Sequence, residues 1–72
     1  RLDAAVETVG RMLCFAPREP TLWHELGLIH ARLGSLSAAE EALEKAVVLD
    51  AENGDTAHRA AVLLQQIKTR LN

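Results

Sequence analysis

The stretch Leu22–His30 reads LWHELGLIH, and its spacing decides between two unrelated molecules. A His-Glu opening and a closing His invite comparison with the zinc helix H-E-x-x-H. In that motif, imidazoles four residues apart lie one above the other on a single helix face. Here the residue four past His24 is Leu28, and the second histidine comes six past, at His30. Six steps of about 100° put the two rings roughly 240° apart around the helix axis. One ion cannot hold both, so the pair is read as two ordinary helix histidines and the metal set is empty.

The glycine in the middle is more informative. Gly27 inside a helix costs about 1 kcal/mol against alanine, so something must want it. Close approach of a second helix is the expected reason, with Ala39 on the return helix permitting that approach. Trp23 and Leu26 then fill the space beside the contact, Trp23 as a core knob. Gly34 stands where the first helix should stop, in the left-handed conformation that glycine accepts. Ser37 followed by Glu40 predicts a capping box opening the next helix. Helix, tight turn, helix follows from these signals.

The residues at these slots form a recognisable set. Trp23, Leu26, Gly27 and His30 match W-x2-L-G-x2-Y with His in the Tyr slot, and Ala39, Leu43 and Ala46 follow as A-x3-F and its small residue. This resembles the tetratricopeptide repeat, a two-helix unit of about 34 residues. The family's closing proline would fall on position 51, where this chain has Ala51. Moving back by 34, Ala39, Leu43 and Ala46 map to Ala5, Val9 and Met12, and the proline appears as Pro17. Moving forward, Trp23, Leu26, Gly27 and His30 map to Ala57, Ala60, Ala61 and Leu64. Helical periodicity continues there through Ile67 and Leu71, without the Trp and Gly.

The resemblance implies an all-α fold, a four-helix segment of a right-handed solenoid. The predicted helices span about 2–16, 21–33, 37–50 and 56–71, with breaks at "APREP", "GSLS" and "AENGD", and Asp55 as the cap of the last helix. Residues 1–17 read as the second helix of a preceding repeat, 20–53 as a complete repeat, and 54–72 as a capping helix that covers the last apolar face. Half a repeat at the front and a start at Arg1 lead us to expect a piece of a longer protein.

Composition is consistent with one small domain. The chain has 72 residues, 49% of them hydrophobic, so alanine supplies much of a core that contains only Phe15 and Trp23 as aromatics. A net charge of −2 gives no reason to expect attraction to nucleic acid or to an anionic membrane. No apolar run has transmembrane length, and no signal peptide is visible. Cys14 is the lone cysteine, so no internal disulfide can form. It is expected to be buried or partly buried beside Leu13 and Phe15, late in its helix, where the dipole does not activate a thiol. A single thiol fits a reducing, cytoplasmic setting. Glu40, Glu41, Glu44 and Lys45 read as a solvated face with a Glu41–Lys45 pair at i,i+4. Lys68 and Arg70 suit the negative end of the last helix.

Function is expected on a surface rather than in a catalytic centre. In tetratricopeptide arrays the first helices of successive repeats line a concave groove that holds peptides or helices. The resemblance places Thr21, His24, Leu28 and Arg32 on that surface from one helix, and His58, Arg59, Val62 and Gln65 from another. His24 and Leu28 occupy positions where the family's carboxylate clamp carries Lys and Asn, so that specificity is not implied. A mildly basic, histidine-bearing groove remains. The expected role is a non-catalytic module that docks a peptide, a partner helix or its own parent's upstream domain, with no cofactor. The uncovered face of the first helix gives a further route, self-association. The ending "LLQQIKTRLN" (63–72) also resembles the tail of bacterial transglutaminase-like proteins that carry such repeats at their C-terminus. That resemblance implies the alternative role, an accessory domain whose catalytic residues lie upstream and outside this chain.

Overall fold

A computed structural model describes residues 1–50 and 54–71. It contains four helices, α1 (Leu2–Phe15), α2 (Pro20–Arg32), α3 (Leu36–Leu49) and α4 (Asp55–Leu71), and no strand among the described residues. The "AENGD" turn and the repeat boundary at 53 fall on residues 51–53, outside those described, as does the C-terminal residue at 72.

α1 starts at Leu2 as expected, and the starts of α2, α3 and α4 differ from expectation by one residue, each for a local reason. Proline at the first helical position has no N–H to leave unsatisfied and a φ already suited to the helix, so α2 begins at Pro20 rather than at residue 21. The α2–α3 turn is tighter than a Ser37 cap requires. Gly34 takes φ +82°, its N–H donates to the Ala31 carbonyl at 3.1 Å, and the Ser35 N–H donates to His30 at 2.9 Å. This pair of bonds is a Schellman closure. It leaves Ser35 as the cap residue of α3, its carbonyl accepting from the Ala39 N–H at 3.0 Å. Ser37 therefore lies inside the helix, the expected Ser37–Glu40 capping box is not the start signal, and no side-chain cap bond forms at Ser35.

The core is small and alanine-rich. Ala39, Leu43, Ala46 and Ala60 are fully buried and Ile67 nearly so, with Trp23, Leu36, Val47, Leu63 and Leu64 packed around them. Leu43 is the largest side chain with no exposure. A Cβ built on Gly27 would lie 2.6 Å from Leu43 Cγ, 2.7 Å from its Cδ2 and 3.3 Å from the Ala39 carbonyl oxygen. The α2 backbone thus rests directly on α3, and Leu43 fills the space that the glycine leaves open.

Two expectations about burial need correction. Cys14 is exposed, not buried. The inner face of α1 runs through Leu2, Ala5, Val6, Val9 and Leu13, and Cys14 is one step of about 100° beyond Leu13. Phe15, one step further, is 90% exposed. Trp23 is half-buried at the edge of the core rather than a knob inside it. Its indole N–H donates to the Pro17 carbonyl at 2.8 Å, which ties the α1–α2 turn to α2.

The order of helix contacts sets the shape. α1 packs on α2, α2 on α3, and α3 on α4; α2 also touches α4, whereas among the described residues α1 touches neither α3 nor α4. The Cα envelope measures 34 × 32 × 14 Å, about two helix layers thick at the usual 8–10 Å interaxial spacing.

Candidate functional site

The groove candidates form two stripes. Thr21, His24, Leu28 and Arg32 recur at helical spacing along α2, and His58, Arg59, Val62 and Gln65 do so along α4. Thr21 and Arg32 are exposed, while His24 and Leu28 are half-buried; His58, Arg59, Val62 and Gln65 are all exposed. The two helices are in direct contact. Cationic and titratable basic groups (His24, Arg32, His58 and Arg59) outnumber acids on these stripes, which contain none.

On the α1–α2 turn and the outer face of α3 the structure has an open cleft of about 510 Å³. It is lined by Pro17, Arg18, Trp23, Glu41, Lys45 and Val48, among others. Lys45 Nζ stands 4.7 Å from the Trp23 ring centroid, a cation–π contact worth about 0.5–1 kcal/mol at an exposed site. This displaces the expected Glu41–Lys45 pair, for which no ion pair forms among the described residues. The sequence reading did not identify this cleft. The signal was Trp23 with Lys45 on the facing helix, two residues that had been assigned separate structural roles.

Asp50 was also missed. It closes α3, is 5% exposed, and its Oδ2 accepts the backbone N–H of Ala57 at 2.9 Å. Gly54 accepts the first bond of α4, from the His58 N–H at 2.8 Å, so Asp55 is the first helical residue rather than the cap. Ala57 is then the third helical residue, and Asp50 supplies from the neighbouring helix the acceptor that a local capping side chain usually provides. A carboxylate at a helix C-terminus opposes the dipole, and that mismatch was the legible clue. His30 is half-buried in the Tyr slot, with its Nδ1 enclosed and without a hydrogen-bond partner.

Among the described residues, no group of three or more His, Cys, Asp or Glu is placed to hold a metal ion. No described helix is long and apolar enough to cross a membrane.

Comparison with known proteins agrees with the two-helix repeat. The general transcriptional corepressor CYC8 of Saccharomyces cerevisiae (strain ATCC 204508 / S288c) is 50% identical over 34 residues, which are 47% of this chain and 4% of that protein. The matched length is that of one repeat. No solved structure matches. The tetratricopeptide repeat family model matches residues 1–68, nearly the whole chain, and the chain belongs to the tetratricopeptide repeat family.

Proposed function

We propose that this chain is a non-catalytic docking module that holds a protein segment against the shared face of α2 and α4. Membership of a family of interaction modules supports the coarse reading. The contact pattern carries the finer one. Among the described residues α2 touches α4 while α1 and α3 stay apart, which supports a slab curved with α2 and α4 on the inner side. The stripes through His24 and Leu28 and through His58 and Val62 then line one surface. In this register residues 1–17 are the second helix of one repeat, 20–53 a complete repeat and 54–72 a closing helix.

The surface offers Leu28 and Val62 as apolar contacts, with Arg32, Arg59 and the histidines around them. A segment with an apolar anchor flanked by acidic residues fits this chemistry, with a modest electrostatic preference. Panning a random peptide library on the chain, followed by amide chemical-shift mapping with the best binder, tests the proposal. Shifts should concentrate on Thr21, His24, Leu28, Arg32, His58, Arg59, Val62 and Gln65. Arg59→Glu should weaken an acidic binder at least several-fold without altering the melt. Shifts confined to the Trp23–Lys45 cleft would transfer the function to the other side of the molecule.

A further inference from the structure

The cleft beside the α1–α2 turn has no part in the α2–α4 groove, and its chemistry is different. Its walls come from that turn, from α2 and from α3, between Pro17 and Leu49, so elements inside the sequence set its opening. Glu41, Glu44, Lys45 and Val48 follow one another at i, i+3, i+4 and i+7 and form a single stripe of α3 facing it. Across from them stands Trp23, its indole N–H held by the Pro17 carbonyl at 2.8 Å, with a ring face toward α3.

Lys45 shows what that face attracts. Glu41 lies one turn before it, in the order that favours an acid–base pair on a helix. No such pair forms among the described residues, and the ammonium stands over the indole, 4.7 Å from its centroid. The four charges of the lining, Arg18, Lys45, Glu41 and Glu44, cancel, so net charge does not choose the occupant. The ring does. It draws a cation, and two carboxylates without ion-pair partners among the described residues stand on the opposite wall. Arginine suits this arrangement better than lysine. Its guanidinium is planar, stacks on an aromatic face, is more weakly hydrated and offers forked donors to a carboxylate. Its methylene stem covers apolar surface, here that of Pro17, Val48 and Leu49.

We propose that this cleft is a second binding site, for a protein segment that inserts an arginine next to an apolar residue. The guanidinium stacks on Trp23 in place of Lys45 and donates to Glu44, while Lys45 falls back on Glu41. The apolar neighbour rests on Val48 and Leu49. Lys45 is thus a built-in competitor, holding the seat until a better cation arrives. The site stands independently of the α2–α4 groove, whose stripes carry no acid.

Trp23 is the only tryptophan and the chain has no tyrosine, so the intrinsic fluorescence of the intact chain reports this ring. Titration with N-acetyl-arginyl-leucinamide should change the emission saturably. The citrulline analogue, alike in shape but uncharged, should bind at least several-fold more weakly. Lys45→Met removes the competitor and should tighten binding about two- to fivefold, the worth of an exposed cation–π contact. Glu44→Gln should weaken it. Both positions are exposed, so helicity by circular dichroism should be unchanged. An emission that never saturates would overturn the proposal. So would equal binding of the arginine and citrulline peptides, or weaker binding by Lys45→Met, which would make Lys45 an anion contact instead.

Discussion

Helices α1 and α3 carry the same small-large pattern 34 residues apart, yet the fold treats them differently. Ala39, Leu43 and Ala46 on α3 have no exposed surface, whereas Ala5 and Val9 on α1 are half-buried and Met12 is 49% exposed. The difference is in their neighbours. α3 is clasped between α2 and α4, while among the described residues α1 rests on α2 alone. Pattern determines which side chains can be core; the number of packed partners determines whether they are.

The largest expected effect contrasts the two Leu43-type positions. Leu43→Ala removes a fully buried side chain and leaves a cavity, a loss of about 2–5 kcal/mol. Against the ~5–15 kcal/mol of a whole domain, that suffices to unfold a large share of so small a protein. Val9→Ala at the equivalent α1 position should cost about 1 kcal/mol, since half of its surface already faces water. Urea melts followed by far-ultraviolet circular dichroism compare them. Equal losses would mean that α1 is as well covered as α3 and would break the contrast.

Trp23→Ala should come next. A fully buried tryptophan would lose about 3–5 kcal/mol, but this ring is half-buried, and about 2–3 kcal/mol is expected, including its hydrogen bond to Pro17. Trp23→Phe keeps most of the ring contact and should lose about 1 kcal/mol, the share of that bond. If phenylalanine is as damaging as alanine in thermal melts, the bond rather than the packing holds the α1–α2 turn.

The hairpin was legible in the sequence because its signals are local. Gly34 at the turn and the Trp23-Leu26-Gly27 spacing each report on a few neighbouring residues, and the helix limits fell within about a residue of those observed. What stayed hidden depends on two elements at once. Asp50 has the look of a misplaced helix-end charge until Ala57 is brought to it from α4. Lys45 seems bound for Glu41, one turn before it, until α2 presents the Trp23 ring. Burial of Cys14 was judged from its sequence neighbours, and one helical step beyond Leu13 was enough to turn it outward. For the proposed groove, the stripes on α2 and α4 could be drawn from spacing, but the direct contact of α2 with α4 across the intervening helix could not.

The smallest effect sharpens the comparison furthest. Gly27→Ala gains about 1 kcal/mol of helix propensity but drives a methyl into Leu43, which has no exposed side to yield toward. Overpacking of about 1–3 kcal/mol should win, giving a net loss of about 1 kcal/mol. Leu43→Val alone should also lose about 1 kcal/mol. Combined, the two substitutions should lose less than the sum by about 0.5–1 kcal/mol, as for residues that share one space. Strict additivity would show that Leu43 is not what excludes a side chain at Gly27.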